Sequence, residues 1–98
     1  MSAVVLFVEI ETVLGQKDAF VARVREHRGN VRKNEPGCLC FDVSVPDEGD
    51  DEVRLYEVYA DQAAFDHHMA TEYMQEYRAD TGPMVAGRRL TKATLVND

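Results

Sequence analysis

Alternation with a period of two marks four stretches of the chain as strands. From Ala3 to Thr12, Val4, Leu6, Val8 and Ile10 fall on one face. From Cys38 to Val45, Leu39, Phe41, Val43 and Val45 share a face, and Cys38, Cys40, Asp42 and Ser44 share the other. From Glu52 to Ala60, Val53, Leu55, Glu57 and Tyr59 alternate with Arg54, Tyr56 and Val58. Arg89 to Val96 is rich in β-formers and predicts the last strand. Between the first two strands, Gln16 to Asn34 carries an apolar stripe at Phe20, Val24, His27 and Val31, spaced for one face of a helix. Pro36 and Gly37 end it. Asp61 is placed to cap a helix beginning at Gln62, with Ala64, Phe65 and His68 turned inward. Thr71 is placed to cap a second short helix containing Tyr73, Met74 and Tyr77, which Thr81-Gly82-Pro83 breaks.

The order β-α-β-β-α-α-β is the ferredoxin-like α+β pattern, with the second helix broken in two. Such a sheet is antiparallel and carries its helices on one face. The other face would present Val5, Phe7, Cys38, Cys40, Tyr56 and Val58, a patch too apolar to leave in water. A sheet-on-sheet homodimer is the economical expectation.

Glu57 breaks this pattern, because it places a carboxylate on the core face of its strand. A carboxylate there must be paired, protonated or chemically useful. An ion pair to Arg88 or Arg89 is the structural alternative. His27 and His68 also lie on apolar faces, whereas His67 turns outward. An imidazole with an ordinary pKa near 6.5 suits proton transfer. Glu57, His68 and His27 are therefore the candidate catalytic residues, with Tyr59, Tyr73 and Phe65 as candidate substrate-binding walls.

Composition narrows the classes. Ninety-eight residues leave room for one domain. With 18 acidic against 11 basic residues and a formal charge of −7, the chain is unsuited to nucleic acid. Arg23, Arg25, Arg28, Arg32 and Lys33 recur at helical spacing and read as a solvated helix face. No run approaches the roughly 18 apolar residues needed to span a bilayer. The N-terminus lacks the basic start of a signal peptide, so the cytoplasm is the expected location. Cys38 and Cys40 would lie roughly 6.5–7 Å apart on one strand face, at the limit for a disulfide, and read as reduced packing residues. No H-x-x-x-H or H-E-x-x-H pairing occurs and no glycine-rich phosphate loop, so neither a metal nor a nucleotide cofactor is expected.

Two stretches carry a family resemblance. Asn34-Glu35-Pro36-Gly37-Cys38-Leu39-Cys40-Phe41-Asp42-Val43 and Leu55-Tyr56-Glu57-Val58-Tyr59-Ala60-Asp61 through Phe65 and His68 resemble the antibiotic biosynthesis monooxygenase (ABM) domain family. That resemblance implies a dimeric α+β barrel with a pocket between sheet and helices in each subunit. It aligns Glu57 with the family's strand glutamate and His68 with its first helix histidine. Some members oxidise quinols or anthrones with O2 and no cofactor, one relative acts on a phosphorylated signalling sugar, and others bind haem. Many members have a second histidine where this chain has Tyr73, and the chain has no Trp. The implied activity is a cofactor-independent monooxygenase acting on a small quinol-like aromatic with O2. An isomerase or tautomerase of a small hydroxyketone, phosphorylated or not, would use the same base, and a non-catalytic small-molecule-binding dimer is the third reading.

Overall fold

The structure, a computed structural model, describes residues 2–97. Its elements are β1 (Val4–Thr12), α1 (Lys17–Asn34), β2 (Cys38–Ser44), β3 (Glu52–Tyr59), α2 (Gln62–Ala70), α3 (Glu72–Thr81), a single 3-10 turn (Gly82–Met84) and β4 (Val85–Thr94). This is the expected α+β, ferredoxin-like arrangement. The strands form one antiparallel sheet in the order β2-β3-β1-β4. Among the described residues, no helix is long and apolar enough to cross a membrane.

The core follows the alternation. Val4, Leu6, Val8 and Ile10 of β1 and Val53, Leu55 and Tyr59 of β3 are buried with Phe20, Val24 and Val31 of α1. His27 is buried on the same helical stripe. The two short helices start where their caps stand. The Asp61 carboxylate accepts a hydrogen bond from the Ala64 amide at 2.8 Å, and the Thr71 hydroxyl accepts one from the Met74 amide at 3.3 Å.

Three expectations are corrected. First, the two cysteines do not share a face. Cys38 pairs with Tyr59 but Cys40 pairs with Val58, so Leu39 is an extra residue in a β-bulge. The phase slip turns Cys38 into the core, leaves Leu39 56% exposed and sends Phe41 inward opposite Glu57. Both thiols are free. Second, β4 begins at Val85, four positions before the expected start at Arg89. Val85-Ala86-Gly87-Arg88 holds few β-formers; its strand geometry comes from pairing with β1 across a second register shift at Glu11/Thr12. Third, the α1 arginines are not simply solvated. Arg28 donates to the Phe41 carbonyl and Arg32 to the Cys38 carbonyl, covering the free edge of β2. Arg23 donates to Asp80 at 2.9 Å.

Gly37 lets the start of β2 approach α2. A Cβ built there would stand 2.7 Å from the Ala64 Cβ, and neither atom can rotate away. Gly37→Ala is expected to lower stability by about 1–3 kcal/mol, read from the urea midpoint. Adding Ala64→Gly should recover part of that loss; no coupling between the two substitutions would show that the close approach is not the cause.

Candidate active site

Glu57 enters the interior because β3 alternates without interruption: its neighbours on that face, Leu55 and Tyr59, are core residues. Glu57 is 4% exposed and lines a cavity of about 110 Å³ between the sheet and the helices. The Tyr59 hydroxyl donates to Glu57 Oε1 at 2.5 Å. Oε2 has no donor among the described residues. Burial pushes the Glu57 carboxyl up to about 7, opposed by the Tyr59 hydrogen bond and assisted by the negative charge of Glu35. Burial and the adjacent Glu57 charge hold the Tyr59 hydroxyl far above its ordinary pKa, so Tyr59 stays a proton donor.

His68 projects from α2 toward the same carboxylate. Its Nε2 lies 3.9 Å from Glu57 Oε1, beyond hydrogen-bond reach. Its Nδ1 lies 3.1 Å from both oxygens of Glu35. A carboxylate accepts, so Nδ1 carries the proton and Nε2 presents a lone pair. Burial lowers the His68 pKa, with the Glu35 carboxylate acting against it. The Tyr73 hydroxyl donates to Glu35 Oε2.

Glu35 is the residue that sequence reasoning missed. It is the C-cap of α1 and only 3% exposed. An acidic side chain there opposes the helix dipole and needs donors, which His68 and Tyr73 supply. A signal existed: Glu35 continues the stripe Phe20, Val24, His27 and Val31 by four more positions. Reading the helix as ending at Asn34 concealed it.

The other candidates divide. His27 lines the cavity wall, with its ring stacked on Tyr77 at 4.2 Å between centroids and 5.7 Å from the His68 ring. Its Nδ1 is buried without a partner among the described residues. Burial, then the His68 and Arg23 charges, lower its pKa to about 4. The expected titration near neutrality is thus corrected: His27 is neutral there. Phe65 lines the cavity beside Met69 and Met74. Tyr59 and Tyr73 stand outside the lining and hold the two carboxylates from behind. The alternative of an ion pair between Glu57 and Arg88 or Arg89 is not formed; Arg89 points to the opposite sheet face, 3.8 Å from Glu9. Among the described residues, no group of three or more His, Cys, Asp or Glu side chains is arranged to hold a metal ion.

The Antibiotic biosynthesis monooxygenase family model matches residues 3–80, which run from the start of β1 to near the end of α3. The chain belongs to the ABM family. Solved ABM-like structures share its fold. A Caulobacter crescentus protein, provisionally described as an antibiotic biosynthesis monooxygenase, superposes with a TM-score of 0.94 at 23% identity, covering 98% of this chain and 92% of its own. A Bacteroides thetaiotaomicron protein with the same provisional description gives 0.88 at 28% identity, covering 96% and 90%. Rv0793 from Mycobacterium tuberculosis gives 0.89 at 22% identity, covering 99% and 98%. No curated protein sequence matches the chain. Within this ABM domain, the polar cluster Glu35–His68–Glu57–Tyr59 joins the end of α1, α2 and β3, and only its Glu57–His68 side meets the cavity.

Proposed function

We propose that this protein is a monooxygenase that oxidises a small quinol-type aromatic with O2, without a cofactor, using Glu57 as the base. One observation carries the reading: a carboxylate raised to about 7 in an apolar, ring-sized cavity, with one oxygen held by Tyr59 and the other free of protein donors. A base is most useful when its pKa lies near the working pH. An apolar cavity of about 150 Å³ takes benzene; this one, at about 110 Å³, is smaller and would hold a single ring only with its edge in the mouth. The substrate hydroxyl fits opposite Glu57 and His68. That hydroxyl donates to the free Oε2 of Glu57, with His68 Nε2, 3.9 Å from Oε1, beside it.

The chemistry needs little else. Removing the phenolic proton makes the ring a reductant, and the anion can pass electrons to O2 directly. A hydroquinone and O2 become a hydroxyquinone and water, so the substrate supplies every electron. The protein supplies the base, the orientation and exclusion of bulk water. With heavy-isotope O2 and chelator-treated protein, one labelled atom is expected in the quinone product and one in water. Turnover under strict anaerobiosis, or product carrying no label, would sink the proposal and favour isomerisation.

The outer sheet face supports a homodimer in the same reading. Phe7 is 47% and Tyr56 37% exposed there, and their rings meet at 5.4 Å. Burying such a patch against its symmetric copy is the usual remedy. Sedimentation should give a dimer, and Phe7→Lys with Tyr56→Lys a folded monomer. A wild-type monomer at micromolar concentration would remove the dimer from the reading.

A further inference from the structure

Two guanidinium groups stand at the mouth of the Glu57 cavity without partners. Arg78 comes from α3 and Arg88 from β4, both are exposed, and both line the cavity. The chain has eight arginines. Arg23 and Asp80 pair, Arg28 and Arg32 hold β2 carbonyls, and Arg54 and Arg89 face Glu9. Only Arg25, Arg78 and Arg88 have neither an ion pair nor a side-chain hydrogen bond among the described residues. Carboxylates are not scarce in a chain with 18 of them. Two of the three unengaged arginines nevertheless flank one opening.

The cavity is graded by charge. Glu57 and His68 lie at its inner end, and apolar walls such as Leu6, Phe41 and Leu55 occupy the middle. Exposed Leu90 lies at the rim between strand neighbours Arg88 and Lys92, and Lys92 lies over the Phe65 ring at 5.7 Å. Burial raises the Tyr77 hydroxyl in the cavity wall to about 12, opposed by the charges of Arg88, Arg23 and Arg78. Among the described residues, Glu57 is the only acidic side chain in the lining.

We infer that Arg78 and Arg88 form an anion subsite, and that the ring bound against Glu57 carries a carboxylate or phosphate directed to the mouth. Guanidinium forks match both anions through paired N–H donors. The net charge of −7 repels anions in general, so a local cationic rim is what an anionic ligand would require. The inference rests on the reading of this cavity as the substrate site, but not on the reaction that follows.

Anaerobic titration calorimetry tests it with matched ligands. Gentisate is compared with gentisamide, and hydroquinone monophosphate with hydroquinone. In at least one pair the anion is expected to bind roughly tenfold more tightly. Arg78→Gln and Arg88→Gln should each reduce that preference and the double variant abolish it, while the uncharged partner binds as before. Arg25→Gln, the unengaged arginine outside the cavity, should leave the preference intact. Equal affinities within both pairs, a preference that survives in the double variant, or one lost in Arg25→Gln would overturn the subsite. Anion preference without O2 consumption upholds the subsite and removes the oxygenase reading. Oxidation of hydroquinone without any anion preference does the reverse.

Discussion

Glu57→Gln is expected to lower kcat on a quinol substrate by about 10²–10⁴-fold, the range for loss of a positioned general base. Glutamine preserves the volume, and its carbonyl can still accept from the Tyr59 hydroxyl, so the cavity and substrate affinity should change little. The wild-type protein should show kcat/KM rising with pH through about 7, as the carboxyl ionises. Stability moves the other way. The folded chain holds the Glu57 proton up to about pH 7, whereas an ordinary carboxyl releases it at 4.5. Between those values the folded state binds more protons than the unfolded state, so stability is full below 4.5 and falls as pH rises through 7. A shift of that size corresponds to about 3 kcal/mol. Urea unfolding at acid and alkaline pH should show this decline in the wild type and much less of it in Glu57→Gln. A variant that keeps its turnover, or retains the full decline, would remove Glu57 from the role of buried base.

Glu35→Gln is expected to impair turnover nearly as much, although Glu35 does not line the cavity. The carboxylate receives two donors, His68 Nδ1–H and the Tyr73 hydroxyl. Glutamine offers one acceptor oxygen and one amide donor. If the amide faces His68, the imidazole proton moves to Nε2 and points at Glu57. That N–H then competes with the substrate hydroxyl for the Glu57 carboxylate. A wrong histidine tautomer of this kind costs up to about 10⁴ in kcat where it has been isolated. Leaving a buried donor unpaired should also cost about 1–3 kcal/mol of stability. Nitrogen chemical shifts of the His68 ring separate the two effects. A shift of the proton from Nδ1 to Nε2 indicates positioning; an unchanged tautomer with reduced stability indicates a purely structural role. Tyr73→Phe removes one donor but leaves the Glu35 carboxylate to accept from His68 Nδ1–H, so it should keep the tautomer.

The fold was largely legible in the sequence because periodicity carries it. Val4 to Ile10 and Val53 to Tyr59 have no irregularity, and their faces come out as read. So did the caps Asp61 and Thr71, whose side chains act within three residues of themselves. What failed was long-range or non-periodic. Cys38-Leu39-Cys40 is apolar throughout, so nothing in it signals that one residue stands outside the alternation. Val85 to Arg88 becomes strand only because β1 pairs with it. The arginines of α1 show helical spacing, but not the β2 carbonyls they reach.

The candidate site divides along the same line. Glu57 and His68 announce themselves as polar residues on apolar faces. Glu35 meets His68 across 33 positions, and only the three-dimensional fold brings them together. The His27 pKa depends on burial beneath Tyr77 and on the charges of His68 and Arg23, none of which follows from the spacing of α1.

The bulge at Leu39 bears on how chains of this kind can change length. Removing that one position would leave Cys38 facing inward, Cys40 outward and Phe41 opposite Glu57, as now, and would restore regular pairing with β3. No other side chain would change sides. Insertion or deletion elsewhere in the strand would invert everything beyond it and carry Phe41 away from the cavity. A gap of one residue between relatives is therefore tolerable at this point of β2, while the rest of the strand is held to a fixed count by the glutamate it faces.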